Sequence, residues 1–343
     1  QHANPCLRDF VAYRIRYTDH PMSGDAWCIY PTYDYTHCIV DSLENITHSL
    51  CTLEFEIRRE SYFRLLQDCE LYKPIVWEYS RLNITNTVLS KRKIEALVNG
   101  GHCEGWADPR LLTLEGLRRR GYTAKMINDF CEAIGVSRKG NENLTSIKLL
   151  EGFARQELDT NASRTFGVMD PILLEIVNLQ DAAETKLKAP LFPREPEKGT
   201  QTYTLTKNVY IEREDFSETH VPKFFGLTPD QKVMLKYGPV VQLKSVEKNA
   251  DGSISHVKVE IVPNCEEKLK GVIHWVSKEN SLNVTCNLYG LHFLIEDIKK
   301  AEDKWLDHLN PDSLIVRSQA KVWNLQKNAK IDSRYQFERV GYF

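Results

Sequence analysis

The hydrophobic period of this 343-residue chain changes from helical to alternating across a proline cluster. Over residues 93–165 the apolar positions follow the helical repeat of about 3.6 residues. Ile94, Leu97 and Val98 share one face before Gly100-Gly101 stops the helix; Met126, Ile127, Phe130, Cys131 and Ile134 form a stripe closed by Gly135; Ile147, Leu150, Phe153 and Ala154 repeat the pattern. Residues 166–195 read as transitional. Pro190, Pro193 and Pro196 mark a linker there, because proline lacks the N–H that a helix needs. Past the cluster the chain turns to β alternation. Tyr203, Leu205, Val209 and Ile211 keep a period of two broken once at Lys207, and Val240-Val241-Gln242-Leu243 runs into the turn Asn249-Ala250-Asp251-Gly252. The return strand sets Val257, Val259 and Ile261 against Ile254, His256, Lys258 and Glu260 with one slip, and Gly271–Val276 and Asn283–Cys286 read as further strands. So many short strands with turn signals imply one β-barrel or two.

Upstream, residues 28–95 mix short apolar runs with helical spacing, as an α/β layer does. Cys28-Ile29-Tyr30 reads as a strand ending at Pro31, Glu54–Leu71 as a helix through Phe55, Tyr62, Leu65 and Leu66, and Pro74–Tyr79 as extended. The fold class expected is therefore multi-domain α/β plus β. With 42% hydrophobic residues the chain has enough apolar material for more than one core. No stretch approaches a membrane span, and Gln1-His2-Ala3-Asn4-Pro5 lacks the regions of a signal peptide, so a cytoplasmic location and no membrane partner are expected. Nine cysteines without a C-x-x-C fit reduced thiols. A net charge of −2 carries no global nucleic-acid signal and none for DNA; any RNA contact must come from local basic groups.

Three groups of residues could carry chemistry. Lys91, Arg92 and Lys93 after Ser90 form a charge run that, taken alone, faces water, with Ser90 as a helix cap. A loop entering a helix also presents free N–H groups and a positive dipole end, and adding cations gives a place to stabilise a pyrophosphate leaving group. Tyr33, His37 and Cys51 are ordinary core types. A metal site is not expected: His37 and Cys38 are adjacent and do not easily share one tetrahedral ion, and the other cysteines lack ligand spacing. The triplet Arg118-Arg119-Arg120 suits a solvated helix end.

Four separated segments, in order, change the weighting. Tyr30–Cys38, Trp77–Asn83 with Val88-Leu89-Ser90-Lys91-Arg92-Lys93, Leu117–Tyr122, and Gln336-Phe337-Glu338-Arg339-Val340-Gly341-Tyr342-Phe343 together resemble the class I aminoacyl-tRNA synthetases of the glutamyl/glutaminyl subclass. The resemblance covers Arg8 to Phe343. It implies the second half of a Rossmann-type catalytic domain, a helical subdomain and anticodon-binding β-barrels. The implied boundaries are 1–27 for the end of an acceptor-binding insertion, 28–95 for the catalytic half, 96–195 for the helical subdomain and linker, and 196–343 for the barrels. Val88–Lys93 matches the second ATP signature, with Leu89 in place of the usual Met, a volume-conserving change. Lys91 is implied at the ATP phosphates beside Ser90 and Leu89, and Arg81 with Leu82 on the adenine side. Magnesium is expected with the ATP substrate. Arg118, Arg119 and Arg120 fall in a region that follows the tRNA backbone, Gln336 and Arg339 match the anticodon-reading pair, and Lys236 falls near a basic anticodon contact.

In this resemblance Tyr33 and His37 line the amino-acid pocket, and Cys51 separates two relatives. Glutamyl enzymes carry an arginine at that place, because a carboxylate substrate calls for a charge-assisted partner; a neutral amide does not, and a buried guanidinium would oppose it. Val76 points the other way, since glutaminyl enzymes commonly carry glutamine there. The pocket residues weigh more, so the implied partners are L-glutamine, ATP and tRNA(Gln), for a glutamine–tRNA ligase. The alternatives are a glutamyl-tRNA synthetase and a non-catalytic tRNA-binding fragment. The first ATP signature, His-x-Gly-His, is absent from the sequence, so the chain is expected to be a fragment clipped at both ends and inactive alone.

Overall fold

Residues 2–8, 11–140, 143–180 and 184–343 are described by a computed structural model. They fall into two units, Gln1–Thr85 with Phe130–Ser146, and Asn86–Asp129 with Ile147–Phe343. Among them no helix is long and apolar enough to cross a membrane, and all nine cysteines are free.

The first unit begins with the antiparallel pair β1 (Tyr13–Ile15) and β2 (Ile29–Pro31). Helix α1 (Tyr33–Leu43) starts where Thr32 is still extended. Strand β3 (His48–Thr52) leads through a 3-10 turn (Leu53–Arg58) into α2 (Arg59–Asp68) and back to β4 (Ile75–Tyr79), which lies parallel to β3 with Cys51 opposite Glu78. A parallel return needs a crossover, and α2 supplies it. The single helix expected over Glu54–Leu71 is therefore two elements. Tyr62, Leu65 and Leu66 keep the α-helical face and pack with Cys38 and Val76, whereas Phe55 belongs to the tighter turn. The short parallel pair β5 (Asn83–Ile84) and β6 (Leu144–Thr145) completes the unit.

The second unit opens with α3 (Lys91–Asn99) and α4 (Leu114–Arg119). Helix α5 (Ala124–Ile134) ends in the first unit, and α6 (Ile147–Asn161) returns to the second. The strands are β7 (Ser163–Thr165), β8 (Gly167–Val168), β9 (Pro171–Ile176), β10 (Thr185–Pro190), β11 (Thr200–Leu205), β12 (Asn208–Glu212), β13 (Val233–Leu235), β14 (Val240–Lys248) and β15 (Ile254–Ile261). After them come β16 (Gly271–Ile273), β17 (Trp275–Ser277), β18 (Ser281–Tyr289), β19 (Leu314–Trp323), β20 (Tyr335–Phe337) and β21 (Gly341–Tyr342).

The β-rich part thus begins ahead of the proline cluster. The segment expected to be transitional contains β9, a central strand of the largest sheet; its proline stands at the first position, where a missing N–H costs no ladder bond. That sheet has seven strands in the order β16-β13-β14-β15-β9-β12-β17. The β14–β15 hairpin forms at the expected turn, with Gly252 at φ 83°, and its register shifts twice, at Leu243/Ser245 and Glu247/Lys248. The ladder does not close on itself: its edges are β16 and β17, consecutive in the chain with only His274 between them. A Cβ on Gly271 would lie 1.7 Å from the Phe225 carbonyl oxygen, so only glycine fits where β16 enters. Two three-stranded sheets, β18-β19-β8 and β21-β20-β7, follow.

The inward positions of the large sheet, among them Leu174, Ile176, Val209, Ile211, Val257 and Val259, form the main core around Phe166, Tyr203 and Trp275. Phe166 and Tyr203 stack at 4.2 Å, and the polar ends are satisfied: Gln201 Nε2 donates to the Tyr203 hydroxyl at 2.6 Å, and Trp275 Nε1 to the Lys236 carbonyl at 3.0 Å.

Candidate functional site

Helical spacing places Tyr33, His37 and Asp41 on one face of α1, and strand alternation places Ser49 and Cys51 on one face of β3. The two faces meet. His37 Nε2 lies 3.1 Å from Ser49 Oγ and 3.2 Å from Asp41 Oδ2, and Ser49 Oγ donates to the same carboxylate oxygen. The Tyr33 ring packs on His37 at 5.1 Å and on Phe55 at 4.8 Å, while Tyr62 meets His37 edge-on at 5.3 Å. One pocket is lined by all three expected residues, Tyr33, His37 and Cys51, together with Asp34, Arg58, Arg59 and Glu78. Burial, reinforced by the Glu78 carboxylate, pushes the Cys51 thiol up. Burial likewise raises the Tyr33 hydroxyl, with Cys51 and Asp41 adding to it. Cys38 turns away from this pocket into the helix packing, its thiol 3.3 Å from the Asp34 carbonyl.

Arg81, exposed, and the half-buried Leu82 lie between β4 and β5, where Asn83 Nδ2 donates to the carbonyls of Arg81 at 3.4 Å and Asn143 at 3.3 Å. In the second unit Ser90 is the N-cap of α3, with extended backbone and no side-chain cap bond, so its hydroxyl leaves the first-turn N–H groups uncovered. Leu89 is half-buried. Lys91 and Arg92 are exposed. Lys93 is not: its ammonium lies over the Trp305 ring at 5.0 Å, and burial holds its pKa down. The cation run therefore splits into two groups that face water and one that holds the helix. Ile94 and Leu97 anchor α3 in a core with Leu111, Phe293 and Ile298. Asn86, in the left-handed region at φ 58°, ties the approach to that core by donating from Nδ2 to the carbonyls of Phe293 at 3.1 Å and Ile295 at 3.2 Å.

Arg118, Arg119 and Arg120 diverge at the end of α4. Arg118 pairs with Glu115 at 2.7 Å, Arg119 donates to the Ala107 carbonyl at 3.0 Å, and Arg120 to the Tyr289 carbonyl at 3.2 Å. Arg118 and Arg119 are exposed and Arg120 is half-buried.

Lys236 and Arg339 are both held at the turn that follows β20, the strand that carries Gln336. Lys236 Nζ donates to Glu338 at 2.8 Å, and the next residue, Arg339, grips Asp215 through two bonds of 2.6 and 2.7 Å. Arg339 also reaches His274 Nδ1 at 3.2 Å, and His274 Nε2 lies 3.4 Å from Glu212. A second pocket is lined by Glu212, His274, Arg317 and Arg339, and Arg317 Nε there, like the buried Gln336 Oε1 on β20, has no partner among the described residues. Buried polar atoms are almost always bonded, so the orphaned Arg317 Nε in the pocket lining suits a polar ligand.

The residues missed from sequence are the charged partners: Asp34, Asp41, Arg58, Arg59, Glu78, Asp215 and His274. One signal existed. Glu78 sits two residues after the buried Val76, on the inward face of a strand, where an acid needs a partner.

Comparison with known proteins places the chain in a family. Residues 1–160 match the family model described as tRNA synthetases class I (E and Q), catalytic domain, and residues 162–262 and 272–343 match two models described as the anti-codon binding domain of the same group. A probable glutamine–tRNA ligase of Dictyostelium discoideum is 48% identical over 347 residues, covering 100% of this chain and 44% of that protein. The glutamine–tRNA ligase of Lupinus luteus is 43% identical with the same coverage, and that of Ralstonia nicotianae 42% identical, covering 99% of this chain and 60% of the relative. The chain thus spans about half the length of the curated relatives it matches. It belongs to the class I tRNA synthetases of the E and Q group.

Proposed function

We propose that the full-length protein is a glutamine–tRNA ligase. The observation that carries this reading is the first pocket, where Tyr33, His37 and Cys51 face a space whose arginines are both engaged by carboxylates. A neutral amide offers two donors and an acceptor and needs no counter-ion. The α-carboxylate of glutamine attacks the α-phosphorus of ATP, releasing pyrophosphate and leaving a glutaminyl adenylate; the terminal ribose 2′-OH of tRNA(Gln) then takes the acyl group and AMP leaves. Positioning and electrostatics do this work. Lys91, at the uncapped start of α3, serves the ATP phosphates with Ser90 and Leu89, and Arg81 and Leu82 serve the adenine; Mg²⁺ arrives with the nucleotide.

The domain reading is 1–27 as the end of an acceptor-binding insertion, 28–95 as half of a Rossmann-type domain, 96–195 as helical subdomain and linker, and 196–343 as anticodon barrels. The parallel β3–α2–β4 crossover supports the first assignment of fold. The single bent segment Gly271–Ser277, which carries both edges of the large sheet, supports a barrel-like wrap. Arg118, Arg119 and Arg120 follow the tRNA backbone, and Lys236, Gln336 and Arg339 read the anticodon; RNA loops are read by splaying bases into such pockets. A cytoplasmic location goes with this role. Val76, apolar where a glutamine is common, favours the glutamyl alternative. Charging of tRNA by the full-length protein with labelled glutamine and labelled glutamate in separate reactions tests the reading, which predicts product with glutamine and far less with glutamate.

A further inference from the structure

The first pocket holds two arginines and two carboxylates, so its charged lining sums to zero. Arg58 Nη1 donates to Asp34 Oδ2 at 2.6 Å. Arg59 Nε donates to Glu78 Oε1 at 2.9 Å, and its Nη2 bonds the other carboxylate oxygen, giving a two-point pair. Glu78 is fully buried and sits directly across the β3–β4 ladder from Cys51. Arg138 reaches it at 3.4 Å, but is itself paired with Glu56.

We propose that Glu78 and Asp34 are specificity-determining positioning residues that keep glutamate out by holding Arg59 and Arg58 in internal ion pairs. The proposal rests on the reading of this pocket as the glutamine site. A substrate side-chain carboxylate seeks a guanidinium, and two stand at the pocket wall. To use Arg59 it must displace Glu78, stranding a buried carboxylate, which is the costly half of breaking a buried pair. To use Arg58 it must compete with Asp34 at hydrogen-bond contact. An amide leaves both pairs intact. Discrimination is thereby built from an occupied cation as well as from the uncharged Cys51. The raised thiol of Cys51, set first by burial and then by Glu78, reflects the same field that opposes a second anion.

Glu78→Gln keeps the shape and an acceptor for Arg59 while removing the charge; Asp34→Asn does the same for Arg58 at a less buried position. In competitive charging by the full-length protein, each variant is expected to raise the glutamate-to-glutamine ratio of kcat/KM by about tenfold, the size of one charge-assisted bond, mainly through a lower KM for glutamate. A purely structural role lowers both amino acids together and leaves the ratio alone. Thermal melting shows which variants fold, and Asp34→Asn decides alone if Glu78→Gln does not. Unchanged ratios in folded variants, with the unmodified protein still preferring glutamine, overturn the proposal and leave the ligase reading standing. An unmodified protein that does not charge glutamine overturns both.

Discussion

Arg339 and Asp215, 124 residues apart, form a two-point ion pair with bonds of 2.6 and 2.7 Å, and the Asp215 side chain is only 8% exposed. The arginine matched to anticodon reading therefore also holds the second unit together. Arg339→Ala is expected to weaken cognate tRNA binding by about 1–3 kcal/mol, with much less effect on a tRNA of changed anticodon. It should also cost about 3 kcal/mol of stability, because Asp215 is left buried and unpaired. Filter binding with both tRNAs and a thermal melt check the two halves. Gln336→Ala, which removes an orphaned acceptor and breaks no ion pair, should show the binding asymmetry with little loss of stability.

Lys91 and Lys93 should part company. Lys91→Ala leaves the packing of α3 intact and is expected to lower glutamine-dependent pyrophosphate exchange in the full-length protein by on the order of 10²-fold, mainly in kcat. Lys93→Ala removes the ammonium from the Trp305 ring and should instead loosen α3, seen as faster amide exchange along Ile94–Val98. Equal exchange in both variants contradicts the division.

Asn86 carries two side-chain bonds from a left-handed backbone position. Asn86→Ala loses both and replaces a residue type that tolerates the left-handed region with one that does not, so a destabilisation of about 2 kcal/mol is expected. Asn86→Gly also loses both bonds but removes the strain, and should fall between the unmodified protein and Asn86→Ala in urea unfolding.

His292 is 4% exposed, with Nε2 3.7 Å from the Cys103 thiol and Nδ1 without a partner among the described residues. Burial first, then the Arg110 charge, lowers its pKa from 6.5 to about 4. The folded chain thus binds this proton less readily than the unfolded chain. Stability attributable to His292 is full above pH 6.5 and falls as the pH drops toward 4. Between pH 7 and pH 5 the unmodified protein should lose about 2 kcal/mol more than His292→Gln, read from urea midpoints at the two values.

Much of the local structure was legible because it depends on spacing. The α3 face carrying Ile94, Leu97 and Val98 and the Asn249–Gly252 turn follow directly from helical and strand periods, whereas α1 over Tyr33–Leu43 is a finding of the structure. Long-range pairing was not legible. β20 pairs in parallel with β7, 172 positions earlier in the register Tyr335↔Ser163, and nothing in either tripeptide names its partner. The proline cluster marks the start of the β region only in that proline breaks helices; β9 begins earlier, at Pro171, and Pro190 itself ends β10 opposite Thr200. The candidate pocket was half legible: the family resemblance, not the residue types, pointed to Tyr33, His37 and Cys51, while the ion pairs of Asp34 and Glu78 depend on arginines brought in by a separate element.

The central claim is that the Tyr33–His37–Cys51 pocket selects a neutral amide. Cys51→Arg in the full-length protein tests it most directly, because it places a cation where a substrate carboxylate can meet it. Competitive charging with labelled glutamine and glutamate should show the kcat/KM ratio moving toward glutamate. An unchanged ratio in a folded variant contradicts the assignment of this pocket.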